Sequence, residues 1–145
     1  MRLTLLFGLM LGLTLPAVAA LPRCSDVAAT AAASQRLDRA ELAAALEALS
    51  RSGRLPERYV TKRDAQTAGW KPGKDLWQVL PGHSIGGDRF GNREQRLPQG
   101  QYREADLDYR GGKRGAKRLV FEPRGRRFVT VDHYQTFTEL PACQP

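Results

Sequence analysis

Histidine and cysteine are scarce in this chain of 145 residues, with two of each. Two sulfurs with no histidine or second cysteine beside them in sequence make no structural zinc site. There is no His-Glu-x-x-His segment, no glycine-rich phosphate loop and no metal-binding carboxylate cluster, so nothing implies a metal or any other cofactor. Acid is the minority charge: 15 Asp and Glu stand against 23 Lys and Arg, a net charge of +8. Internal repeats and low-complexity linkers are absent as well. Only one long apolar run occurs, at the start, and Pro16 breaks it short of the roughly 20 residues a membrane-spanning helix needs.

That opening run, "MRLTLLFGLMLGLTLPAVAA", has one arginine, an apolar stretch and a small-residue end at Ala17–Ala20. This is the pattern of a secretory signal, read as residues 1–20 and removed on export; the alternative is a retained anchor. Losing Arg2 with it leaves a charge of +7 on a single domain's length of chain. An exported basic domain calls for an acidic partner, whether nucleic acid, an anionic envelope or an acidic protein. Cys24 and Cys143 stand at the two ends of the mature chain. In an oxidising compartment they read as one disulfide tying the termini, the alternative being two free thiols.

Residues 21–35 are rich in alanine and poor in large apolar groups, which predicts a flexible arm ahead of a folded domain at 36–145. Within that domain "DRAELAAALEALSRSG" predicts a helix. Asp38 and Glu41 form a cap pair, Leu42, Leu46 and Leu49 recur at helical spacing, and Gly53 supplies the stop. "TKRDAQTAGW" predicts a second short helix capped by Thr61, and "KDLWQVL" a helical turn. Trp70 and Trp77 read as core aromatics and His83 as a solvated loop residue. After Gly82 come "SIGGDRF", "QYREADLDY", "KRLVF", "RRFVTV" and "QTFTEL", short runs of strand formers separated by Gly and Pro. Helices first and strands after predict an α+β domain with helices packed on a twisted antiparallel sheet of four to five strands. "PRGRRF" reads as an exposed hairpin tip able to touch distant phosphates.

Alternation from Tyr102 puts Glu104, Asp106 and Asp108 on one strand face, and Arg114 and Arg118 return after a Gly-Gly turn to answer them. On that evidence alone the pair is a solvated hairpin laced with salt bridges. "VTVDHYQTFTEL" adds His133 to a strand-like run, either as a core histidine or as a group that moves a proton. A carboxylate, two guanidinium groups and an imidazole are what RNA cleavage by internal transesterification requires. A base takes the 2′-OH proton, an acid protonates the leaving 5′-oxygen, and cations stabilise the charge at phosphorus.

Four ordered segments, "VTKRDAQTAGW", "SIGGDRFGNRE", "READLDY" and "TVDHYQTFTE", make the stretch from Leu55 to Leu140 resemble the barnase-like family of secreted bacterial guanyl-preferring ribonucleases. The resemblance implies a metal-independent endoribonuclease that cuts single-stranded RNA after guanine, through a 2′,3′-cyclic phosphate. It implies Glu104 as general base and His133 as general acid, with roles exchanged in the hydrolytic step. Arg114 and Arg118 match phosphate-binding arginines, Asp106 the carboxylate that orients them, and Lys62 a lysine that favours the transition-state charge. Phe90 to Glu94 match the guanine loop, in which Glu94 accepts from the base while backbone amides of Asn92 and Arg93 donate to it. Tyr134 lies against the purine. A monomer is implied, with a barstar-like protein inhibitor as partner and no membrane contact after signal removal. The chain departs from the family pattern at Gly91, in a shorter turn between Glu94 and Glu104, and in Gly115 and Lys117, which make that edge more basic. Two other functions compete: a basic RNA-binding domain without catalysis, and the same nuclease used as an antibacterial toxin. Glu104, Arg118 and His133 together argue against the first, since a binder needs only the cations.

Overall fold

The computed structural model describes residues 12–145. The first eleven residues of the expected signal lie outside the described residues. Leu13, Leu15 and Val18 of its second half are solvent-exposed and take no part in the core.

The expected flexible arm at 21–35 is instead helix α1 (Cys24–Gln35). Alanine is the best helix former, and its small side chain is what this packing needs. Val27, Ala28 and Ala31 are buried where α1 lies on helix α2 (Arg39–Ser52). The poverty in large groups that predicted a loose arm is therefore the condition for close helix approach. The start of α1 is also tied to the end of the chain. A Cys24–Cys143 disulfide joins them, Cys24 N–H donates to the Gln144 carbonyl at 2.8 Å, and Gln144 N–H donates to Pro22 at 2.9 Å.

Helix α2 follows the predicted boundaries. The Asp38 side chain caps it by accepting from Glu41 N–H at 2.9 Å, and Gly53 ends it with φ 70°. The reciprocal half of the cap pair does not form. The Glu41 carboxylate is buried and accepts instead from Arg110 at 2.9 Å and from Asp108 N–H at 3.1 Å. Helix α3 (Lys62–Thr67) is capped by Thr61 as expected. A 3₁₀ turn at Leu76–Gln78 stands where "KDLWQVL" predicted one. Trp70 is buried and Trp77 half-buried; their indole N–H groups donate to the Lys74 and His83 carbonyls.

The sheet has six strands in the order of the chain: β1 (Tyr59–Val60), β2 (Ser84–Phe90), β3 (Tyr102–Asp106), β4 (Arg118–Phe121), β5 (Arg127–Thr130) and β6 (Thr138–Leu140). Five were expected at most, all antiparallel. The sixth, β1, is two residues long, too short to show alternation, and it pairs parallel to β2. Gly86 makes room for it: a Cβ there would stand 2.5 Å from Tyr59 Cδ1.

Strand alternation divides the sheet into two working faces. Ala105, Leu119, Phe121 and Val129 join the buried leucines of α2 and the small face of α1 in the main core. On the other face Tyr102, Val120 and Phe128 pack with Leu97, flanked by Phe90, Tyr134 and Phe137. Glu104, Asp106, Arg118 and Thr130 belong to this second face by the same alternation.

Candidate active site

On the face away from the helices, register sets Asp106 opposite Arg118, Arg118 opposite Thr130, and Glu104 opposite Val120. Asp106 is buried, and an isolated carboxylate there would be costly. Two guanidinium groups meet that cost. Arg114 donates two bonds of 2.7 Å to its oxygens in a bidentate fork. Arg118 Nε stands 3.1 Å from Oδ1 without hydrogen-bond alignment, while Nη1 donates to the carbonyls of Gly115 and Lys117. The hydrogen bond to Asp106 raises the Arg114 pKa above its ordinary value. Both cations are thus held rigid, which is the preorganisation an electrostatic site needs.

The predicted third carboxylate does not join them. Asp108 has φ 57°, so the strand ends at Asp106 and the chain turns away. Asp108 accepts from Asp38 N–H at 3.0 Å and from the Lys117 ammonium at 2.8 Å. Lys117 is therefore neutralised and adds little to the basic edge expected of it.

Glu104 is half-buried and accepts a hydrogen bond of 2.9 Å from the Tyr134 hydroxyl. Burial, and then the Glu104 charge, push the Tyr134 pKa up to about 12, so this phenol stays a donor. The Arg118 guanidinium lies 5.9 Å from the centroid of the same ring. Nothing in the sequence pointed to the Tyr134–Glu104 contact, because its partners are 30 residues apart and on different elements.

His133 is not on a strand. It occupies the turn between β5 and β6, with φ 53°, followed by Tyr134 at φ 70°. Its ring is exposed, which rules out a core histidine, and its centroid is 4.8 Å from that of Tyr134. Two left-handed residues in succession require support, which comes from both sides. His133 N–H donates to the Ala116 carbonyl at 3.1 Å, and Tyr134 N–H to Thr130 Oγ1 at 3.0 Å. Asp132 ties the turn by accepting from Thr130 Oγ1, Thr136 N–H and Thr136 Oγ1. These bonds, those from Thr136 first, lower the Asp132 pKa to about 2.

Lys62 opens α3 one strand further along. Its N–H donates to Asp88 Oδ2 at 3.0 Å, and Asp88 pairs in register with Glu104. The Lys62 ammonium forms no ion pair among the described residues.

Beside this cluster opens a cleft of about 380 Å³ between the loop Phe90–Arg96 and the turn His133–Phe137. Asn92, at φ 46°, folds the loop through its side-chain amide, which donates to the Leu97 carbonyl at 2.9 Å and accepts from Leu97 N–H at 3.1 Å. The Asn92 and Arg93 N–H groups donate to no backbone carbonyl among the described residues. Phe90 and Tyr134 form an aromatic wall with ring centroids 5.4 Å apart. Glu94 is exposed at the rim. Arg96, which the sequence reading passed over, bridges the mouth: Nε donates to Glu94 at 2.8 Å and Nη1 to the Gln135 carbonyl at 2.8 Å. The rings of Phe90, Tyr134 and Phe137 line this cleft, and its rim carries carboxylate, amide N–H and guanidinium groups, a lining suited to a planar base with polar edges.

A protein-family model described as ribonuclease matches residues 43–141, which include every element of the sheet. The chain belongs to this family. It is 48% identical over 96 residues to ribonucleases of Bacillus intermedius and Bacillus pumilus, a match covering 63% of this chain and 59% of each relative. The chain thus spans less than two-thirds of those two proteins. A ribonuclease of Heyndrickxia coagulans is 47% identical over 96 residues, covering 63% of this chain and 88% of the relative. All the residues of the cluster and cleft lie inside the family match; Cys143 and the whole of α1 lie outside it.

Proposed function

We propose that the protein is an exported endoribonuclease that cleaves single-stranded RNA on the 3′ side of guanine without a metal. The observation that carries this reading is the half-buried Glu104 and the exposed His133 ring on either side of Tyr134, beside the Asp106–Arg114–Arg118 cluster and the mouth of the aromatic cleft. Family membership supports the substrate class.

In the first step the Glu104 carboxylate accepts the ribose 2′-OH proton as O2′ attacks phosphorus. His133 donates a proton to the departing 5′-oxygen, and the product is a 2′,3′-cyclic phosphate. In the second step water attacks that phosphate; His133 takes its proton and Glu104 returns one to O2′. Arg114, Arg118 and Lys62 balance the charge that gathers on the phosphoryl oxygens. Guanine stacks along the Phe90–Tyr134 wall, the amides of Asn92 and Arg93 donate to its O6, and Glu94 accepts from N1 and N2. The protein acts as a monomer and is released from any membrane once its signal is cut. Among the described residues no helix is long and apolar enough to cross one. A barstar-like acidic inhibitor is the protein partner this basic cleft suits.

The test is cleavage of GpU, ApU and UpU by the mature protein in EDTA, with products identified. The expected product is a cyclic phosphate formed fastest from GpU. His133→Ala should lower kcat by about 10²- to 10⁴-fold, the usual worth of a positioned acid. Near-wild-type cleavage by that variant would remove His133 from the mechanism.

A further inference from the structure

On the helix side of the sheet, at the opposite end of β5 from His133, a second cleft of about 730 Å³ runs between the β4–β5 hairpin and the C-terminal segment Glu139–Cys143. The sequence reading assigned its arginines to an exposed tip. Arg124 and Arg126 are exposed, but Arg127 is buried, with 6% of its surface accessible. Alternation puts Arg127 on the same face as Val129, toward α2, so its guanidinium sits behind the sheet from Arg118.

Arg127 has no carboxylate partner. Nη1 donates to Ser50 Oγ at 2.9 Å and reaches Cys143 Sγ at 3.3 Å, an oxidised sulfur that is a weak acceptor. Nε is buried and makes no hydrogen bond among the described residues. The other buried guanidinium among the described residues, that of Arg118, is answered by Asp106. A buried cation without a counter-charge is strongly unfavourable, and burial accordingly presses the Arg127 pKa down. Along the cleft the Arg124 and Arg127 guanidinium groups stand with a single lining carboxylate, Glu139, while the Arg126 side chain turns to Tyr102 on the other face of the sheet. Arg124 is held in position by its bond to the Ser52 carbonyl at 3.2 Å. None of the three arginines forms an ion pair among the described residues.

We propose that this cleft is a second phosphate-binding site, in which Arg124 and Arg127 take one tetrahedral oxyanion on the side of the sheet away from the catalytic groups. Guanidinium forks match the geometry of phosphate oxygens, and the desolvated Arg127 gains most from the counter-charge. The phosphate has two chemical sources: inorganic phosphate, or a backbone phosphate of the polyanionic substrate several nucleotides from the cut. The second source rests on the ribonuclease reading; the first does not.

Arginine Nε–Hε resonances of the disulfide-bonded mature protein read the site directly. Inorganic phosphate, titrated against chloride at fixed ionic strength, should shift the Arg127 resonance saturably and independently of Arg118. Arg124→Ala should weaken that shift at least tenfold while leaving the Arg118 titration and GpU cleavage unchanged, and Arg126→Ala, on the other face, should leave all three unchanged. Arg127→Met should abolish the phosphate-dependent rise in melting temperature that the wild type retains when its catalytic cleft is blocked with guanosine 3′-monophosphate. An uncleavable all-deoxy decamer that moves Arg127 where a deoxy dinucleotide does not identifies backbone phosphate as the source; a response to inorganic phosphate alone identifies the free ion. An Arg127 resonance that responds to phosphate no more than to chloride overturns the site, as does an unchanged titration in the Arg124→Ala variant. Failure of GpU cleavage in the wild type would instead overturn the ribonuclease reading and leave the phosphate titration interpretable.

Discussion

Among single residues, Glu94 has the most discriminating task in the proposed mechanism, and it performs it from an exposed position. Its carboxylate is exposed and shares one oxygen with Arg96, and a carboxylate has enough lone pairs to keep that bond while accepting from a base. Glu94→Gln preserves shape but turns one acceptor into a donor that opposes the guanine N–H groups. It should reduce kcat/KM on GpU by about 10- to 100-fold, the worth of a charged hydrogen bond, and change ApU cleavage far less. Parallel assays on the two dinucleotides decide it; an equal fractional loss on both would mean the loop itself had been disturbed. Several of the proposed site residues could be placed from the sequence because their chemistry is local. "READLDY" alternates, so Glu104 and Asp106 share a face, and the arginines after Gly111–Gly112 return to meet Asp106. What escaped was the contacts whose partners are far apart in the chain. Glu41 with Arg110, Tyr134 with Glu104, and Arg96 with Gln135 span 69, 30 and 39 residues respectively. Arg127 escaped for another reason: charge argues for solvent, and only tertiary packing puts it behind the sheet.

At the level of elements, the turn between β5 and β6 does what a strand could not. A strand would send His133 and Tyr134 to opposite faces; two successive left-handed residues keep both rings at one cleft. The sequence reading extended the strand through them because "VTV" and "TFTEL" have the composition of strands, and the backbone sign of φ leaves no mark in a hydropathy pattern. Asp132 is the residue that holds this turn. Its carboxyl titrates at about 2 in the folded protein against an ordinary 3.8. A folded-state pKa below the unfolded one means that its contribution is fully present above pH 3.8 and is lost as pH falls through 2. Amide exchange at Tyr134–Thr136 should therefore accelerate between pH 4 and pH 2, before the β3–β4 ladder opens. Asp132→Asn should remove that step, and a wild-type turn as well protected at pH 2 as at pH 5 would contradict it. The same element-level reasoning explains the arm that became a helix. Alanine content was read as a lack of core, whereas against another helix it permits closeness, and α1 is buried by that closeness along Val27, Ala28 and Ala31.

For the whole molecule, a net charge of +8 favours encounter with acidic partners. Barstar titrated into the cleavage assay should inhibit, with an association rate that falls as salt is added; no inhibition at micromolar excess would exclude that partner. The disulfide acts at the same scale. It closes a loop of 119 residues, for which the ideal chain-entropy gain is about 4–5 kcal/mol. Slack in a mobile arm would have reduced that gain, but α1 is docked, so the reduced protein should melt well below the oxidised one. Cleavage at room temperature should persist on reduction, because neither cysteine belongs to the catalytic face. A melt with and without reductant, followed by a GpU assay, measures both; unchanged melting would mean that helix docking alone secures the ends. Closure also has a mechanical consequence. With Cys24 and Cys143 bonded at a Cα separation of 4.9 Å, tension applied at the two termini passes through the sulfurs and bypasses the fold. Drawn between its ends in a force spectrometer, the oxidised protein should show no rupture and almost no gain in contour, whereas the reduced protein should lengthen by about 400 Å at 3.3–3.6 Å per residue. A translocating pore too narrow for two strands abreast could pass this chain only before the bond forms, so the proposed export has to precede oxidation.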